Sequence, residues 1–119
     1  MEKFVLYHNP RCSKSRAALA LLEENDVFPE IVLYLDTPPT VEELKQLLNK
    51  LGMSVRDIIR TTESEYEELG LDDETLDEEI VLDILSRHPK LLQRPVLIKG
   101  DQAVLGRPPE NVLKLINGN

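Results

Sequence analysis

The chain has 119 residues, 41% apolar and 30% charged, with a formal net charge of −8. That length is enough for one domain with an ordinary hydrophobic core, and the acidic balance disfavours non-specific binding to nucleic acid. No apolar run approaches the roughly 20 residues of a membrane-spanning helix, and residues 1–10 lack the basic and apolar segments of a secretory signal. With Cys12 as the single cysteine no internal disulfide can form, so the expected compartment is the cytoplasm.

In chain order, the apolar run Phe4-Val5-Leu6-Tyr7 predicts a strand, residues 13–24 a helix, and Pro29 to Leu35 a second strand. One helix between two strands implies a parallel pair with a right-handed crossover. Asp36-Thr37-Pro38-Pro39 breaks the chain, and Thr40…Glu43 is a capping box opening a helix in which Val41, Leu44, Leu47, Leu48 and Leu51 recur at helical spacing. Gly52 marks its end. The same capping signature recurs at Ser64…Glu67, before a short helix stopped by Gly70, and at Thr75…Glu78, before one stopped by Pro89. The acidic residues between Glu63 and Asp83, with no Lys or Arg among them, predict a solvated helical face. Residues 95–99 and 102–105 flank Gly100-Asp101 as a hairpin, and Pro108-Pro109-Glu110 opens a last helix through about Ile116. The order βαβ, helices, ββα describes an α/β domain spanning 1–119, with a helical insertion at about 40–90.

Cys12 stands in the turn between the first strand and the first helix. A thiol there faces the free N–H groups of the helix start and the positive end of its dipole, and Arg11, Lys14 and Arg16 lie close in sequence. All of these favour a thiolate. A lone cysteine can be a small buried hydrophobe, but polar and cationic neighbours on both sides point to a reactive thiol. With one sulfur in the chain, a two-electron thiol reduction needs a second sulfur from outside. Ser15 occupies the place of the resolving cysteine in a Cys-x-x-Cys pair, which removes dithiol chemistry.

Arg60, Arg94 and Arg107 each lie at a predicted element boundary. Converging on Cys12, they would bind a tetrahedral oxyanion through their rigid forks of donors and hold the sulfur as a thiolate; taken singly, each reads as an ordinary solvated arginine. Arg94-Pro95 in the cis form would bring that backbone close to the thiol, although about nineteen X–Pro bonds in twenty are trans. His8 is either a hydrogen-bond donor to the thiolate or an ordinary turn histidine, and His88 is a dipole partner at a helix end. One cysteine and two distant histidines do not make a metal site, and no phosphate-binding or dinucleotide glycine motif occurs. A Cys-x5-Arg phosphatase loop is also excluded, since position 18 is Ala.

The run His8-Asn9-Pro10-Arg11-Cys12-Ser13-Lys14-Ser15-Arg16 resembles the active-site loop of the glutaredoxin-linked arsenate reductase family. The likeness continues through Tyr34-Leu35-Asp36-Thr37-Pro38-Pro39, Arg60, residues 66–71, His88-Pro89, Arg94-Pro95 and Gly106-Arg107-Pro108. It implies a thioredoxin-like fold. It also implies that Cys12 attacks arsenate, that Arg60, Arg94 and Arg107 bind the oxyanion and stabilise the thiolate, and that His8 helps lower the thiol pKa. Glutathione would then attack the adduct and glutaredoxin would complete the reduction to arsenite. Ser13-Lys14 after the cysteine and the short stretch after the last helix resemble a shorter subgroup of that family. Two other readings fit the same residues: a glutathione-dependent thiol oxidoreductase with another substrate, and a regulator binding RNA polymerase, similar to Spx-type members of the superfamily. Ser15 weighs against the regulator, whose switch is a Cys-x-x-Cys disulfide.

Overall fold

A computed structural model describes residues 3–116. The chain forms two compact units, one from the residues up to Thr37 together with those from Arg94 onward, the other from Pro38–Gln93.

The first unit holds a four-stranded sheet of β1 (Phe4–Tyr7), β2 (Glu30–Val32), β3 (Val96–Lys99) and β4 (Gln102–Leu105), in the order β2-β1-β3-β4. β1 and β2 are parallel, as the crossover helix α1 (Ser13–Glu24) requires, and β3 is antiparallel to both β1 and β4. α1 buries Ser15, Ala18 and Leu22 at helical spacing. Ala18 and Leu22 join Leu6 of β1, Leu97 of β3 and Val112 and Leu115 near the C-terminus in one apolar cluster. The βαβ and ββα halves on one mixed sheet make the fold thioredoxin-like.

Two expectations change here. β2 ends at Val32 rather than continuing to Leu35, because the N–H groups of Asp36 and Thr37 both turn back to the Leu33 carbonyl at 2.9 and 3.0 Å. The predicted last helix is a 3-10 turn (Pro109–Val112) followed by α5 (Leu113–Ile116). Asn111 Nδ2 donates to the carbonyls of Leu105 and Arg107 at 3.2 and 3.1 Å, tying that turn to the end of β4.

The second unit contains α2 (Val41–Leu51), α3 (Ser64–Glu68) and α4 (Glu78–Arg87), with α2 packed on α4. The capping box of α2 forms as predicted: Glu43 N–H donates to Thr40 Oγ1 at 3.1 Å, and Thr40 N–H to Glu43 Oε1 at 2.9 Å. Gly52 closes the helix at φ 68°, a conformation that favours glycine. The other two predicted boxes do not form. Ser64 lies inside α3 and its hydroxyl donates to Glu65, while Thr75 is held by Asp73 Oδ1 in the preceding turn, leaving Asp77 to begin α4. A box that the sequence reading omitted forms instead at Ser54, whose N–H donates to Asp57 Oδ2 at 3.0 Å. Parts of the acidic run pair on the surface, Glu79 with Lys45 and Glu65 with Lys90.

The sheet topology brings particular residues to one end of the first unit. Tyr7 pairs with Val96 and Val96 with Leu105, so the chain leaving β1, the chain entering β3 and the chain leaving β4 meet at one edge. The ladder runs one step further there, with Gly106 N–H donating to the Pro95 carbonyl at 2.8 Å. Arg94 and Arg107 therefore each stand one residue beyond this last bond, at the same end of the hairpin. Both Arg94-Pro95 and Arg107-Pro108 are cis; the sequence reading raised that form for Pro95 alone, against the usual preference for trans. Gly106 is needed where it stands: a Cβ there would lie 2.7 Å from Pro95 Cγ and 3.3 Å from Val112 Cγ1. Gly106→Ala is expected to cost about 1–3 kcal/mol through overpacking, read as a lowered urea midpoint at constant slope; an unchanged midpoint would show that Pro95 is free to yield.

Candidate active site

The strand-to-helix turn is built by Asn9. Its side-chain Oδ1 accepts from the Arg11 N–H at 3.0 Å and its carbonyl from the Cys12 N–H at 3.0 Å, a local bonding pattern that asparagine supports well. Cys12 keeps an extended backbone (φ −93°, ψ 124°) as the N-cap of α1, and its carbonyl accepts the first helical bond, from Arg16 N–H at 3.0 Å. The thiol is partly exposed. Its partial burial pushes the pKa up. Against this act the N–H of Ser15, the side chain of Arg94, the N–H of Lys14 and the charge of Arg94, and together they hold the thiol below its ordinary value. Neither amide closes a regular capping bond onto the sulfur, so both act as nearby N–H dipoles at the helix start.

The cation that acts on Cys12 is thus remote in sequence. Arg11, Lys14 and Arg16, the near neighbours, are all exposed, and Arg16 Nη1 donates to the Pro10 carbonyl at 2.9 Å. Arg94 carries a buried Nε that has no hydrogen-bond partner among the described residues. A buried charged donor in that condition has strong capacity for an added acceptor. Arg107 directly follows Gly106, whose N–H bonds the carbonyl of Pro95, the residue after Arg94. Arg60 belongs to the other unit, where its Nε pairs with Glu63 Oε2 at 3.3 Å and both side chains are largely buried. The structure therefore brings Cys12 and Arg94 together, while the pairing made by Arg60 is with a carboxylate.

His8 is buried, and its hydrogen bond runs to Ser15: Nδ1 lies 2.7 Å from Ser15 Oγ, which also accepts from the Asn9 N–H at 3.1 Å. Burial and then the charge of Arg16 lower the His8 pKa, so the ring is neutral at pH 7. Ser15 ties the end of β1, the Asn9 turn and the first turn of α1 to one hydroxyl. From the sequence, Ser15 stands out only as the missing cysteine of a Cys-x-x-Cys pair. Its position on the inward stripe with Ala18 and Leu22 was the available signal, because a polar residue there must find buried partners.

A thioredoxin-like unit that presents one activated thiol at a helix start, with an arginine beside it, is built for single-cysteine nucleophilic chemistry. Residues 7–115 match the model of the ArsC family, and the chain belongs to that family. It is 50% identical over 113 residues to the arsenate reductase of Neisseria meningitidis serogroup A, covering 94% of this chain and 97% of the relative. It is 49% identical over 112 residues to the uncharacterized protein YfgD of Escherichia coli K12, covering 93% and 94%. Among solved structures, an arsenate reductase from Vibrio cholerae superposes with a TM-score of 0.92 at 46% identity, covering 95% of this chain and 97% of that one.

Two outcomes are expected from this geometry. Ser15→Ala leaves the Asn9 N–H and a buried His8 nitrogen unsatisfied, a loss of about 1–3 kcal/mol; unfolding in urea measures it, and an unchanged midpoint would deny Ser15 that role. Arg94→Met removes a cation from Cys12 and is expected to slow its alkylation at neutral pH by up to about tenfold, the effect of one pKa unit. An unchanged rate would remove Arg94 from thiolate stabilisation.

Proposed function

We propose that this chain reduces arsenate to arsenite with the Cys12 thiolate as nucleophile, and that glutathione and glutaredoxin supply the electrons. Membership of the ArsC family and similarity to proteins that bear the name arsenate reductase support the reading. The observation that carries it is the meeting of Cys12 with Arg94: a thiol held below its ordinary pKa, next to a guanidinium that has a buried donor to spare.

The steps balance as follows. Cys12 Sγ attacks arsenic, forms an S–As bond and expels water. A glutathione thiol adds to the same arsenic and expels a second water. A glutaredoxin thiol then attacks the glutathione sulfur and takes it as a mixed disulfide, which leaves two electrons on arsenic. Water releases arsenite and returns the Cys12 thiolate. The sum is one arsenate and two external thiols giving arsenite, a disulfide and water, so no second cysteine is needed in this chain.

Arg60, Arg94 and Arg107 are the proposed ligands of the oxyanion. Arginine suits the task because its planar fork matches oxyanion geometry and stays charged. For His8 we propose an indirect part in lowering the thiol pKa: bonded to Ser15, it fixes the turn whose amides face the sulfur. The reaction is placed in the cytoplasm, where external thiols stay reduced. No helix among the described residues is long and apolar enough to cross a membrane.

The test is arsenate reduction with glutathione and glutaredoxin, run beside arsenate-free controls. Cys12→Ser is expected to abolish turnover, and Arg94→Lys to raise the arsenate KM by about tenfold, since it keeps the charge and loses the fork. Turnover by Cys12→Ser, or an unchanged KM in Arg94→Lys, would overturn these assignments.

A further inference from the structure

A cleft of about 390 Å³ opens beside the nucleophile turn, entirely within the first unit. Residues 8–11 line one side, and Leu33, Leu35 and Asp36 line the other. It lies where the parallel strands β1 and β2 end, and each wall is pinned. His8 N–H donates to the Val32 carbonyl at 2.9 Å, extending the ladder by one residue. The Asn9 bonds fix the first wall, and the bonds from Asp36 and Thr37 to Leu33 fix the second. The crevice beyond the carboxyl ends of parallel strands is a recurrent ligand position in α/β sheets. The volume falls in the range of about 300–1,000 Å³ usual for small-molecule sites.

The lining has a definite chemistry. Among the described residues, neither the Arg11 guanidinium nor the Asp36 carboxylate makes an ion pair or a side-chain hydrogen bond with the protein. Leu33 and Leu35 are each 40% exposed, which leaves apolar surface between the two charges. A cleft with one cation, one anion and a leucine pair suits a small zwitterionic peptide: a carboxylate for Arg11, an ammonium for Asp36, and a peptide body over the leucines. Arg11, which lines the cleft, directly precedes Cys12 in the chain.

We infer that this cleft is the subsite for the external peptide thiol, glutathione in the proposed reaction, with Arg11 taking a carboxylate and Asp36 the α-ammonium. This rests on the arsenate-reducing reading above for its place in a cycle, but the binding itself does not need turnover. The cleft lies off the Cys12–Arg94 pair, so co-substrate and oxyanion have separate determinants.

The experiment has two arms. In the first, S-methylglutathione, which cannot react, is titrated into the free protein and followed by amide chemical shifts. Shifts centred on residues 8–11 and 33–36 are expected; shifts centred elsewhere, or none at millimolar ligand, would overturn the inference whether or not arsenate is reduced. In the second, Asp36→Asn is expected to weaken S-methylglutathione binding by about fivefold, the scale of a partly exposed ion pair. The same substitution should leave affinity for the N-acetylated ligand unchanged, since that ligand has no ammonium to lose. Equal losses for both ligands, or no loss for either, would remove Asp36 from recognition. Absence of arsenate turnover alongside the expected shifts would sink the proposed function and leave the subsite standing.

Discussion

An anionic sulfur at Cys12 must overcome its own partial burial, and the rest of the site is arranged around that opposition. Burial favours the neutral thiol, while the amides at the start of α1 and the guanidinium of Arg94 favour the charged form, and the second group wins. The margin depends on placement because each contribution is short-ranged. Asn9 sets the turn, Ser15 clamps it to His8, and the register of β3 against β1 decides where Arg94 stands.

The sheet explains why so few residues suffice. Three chain segments reach the same edge, one ending in the nucleophile turn and two carrying arginines immediately before prolines. Pro95 and Gly106 sit opposite each other in the ladder, and the missing side chain at Gly106 makes room for the proline ring. In the proposed reaction, substrate capture and thiol activation would share one guanidinium. The same cation that lowers the Cys12 pKa carries a buried Nε without a partner among the described residues, the donor proposed for the oxyanion.

Much of this was legible in the sequence, though unevenly. β1 and α1 match their predicted bounds because an apolar run and a polar turn leave few alternatives, and the Thr40 box is a strong local signal. β2 was overread because alternation at Ile31, Leu33 and Leu35 resembles a strand even where the backbone has already turned back on Leu33. The boxes at Ser64 and Thr75 failed since Asp73 competes for Thr75 and Ser64 already lies within the helix, details that depend on loop conformation. Cys12 was identified from its turn alone. Of the cations expected to favour its thiolate, Arg11, Lys14 and Arg16 are nearest in sequence and lie exposed, whereas Arg94, one of the three arginines expected to converge on the sulfur, is the one that lowers its pKa. The structural part of Ser15 was not legible because it lies in one buried and one part-buried hydrogen bond, and those depend on how the turn closes.

The most direct measurement of the central claim is the ultraviolet absorbance of the thiolate followed against pH, taken as the difference between the native chain and Cys12→Ser. The account expects a single titration with its midpoint below the ordinary value of a free thiol. A midpoint at or above that value would mean that burial prevails over the helix amides and Arg94, and the chemistry assigned to Cys12 would lose its physical basis.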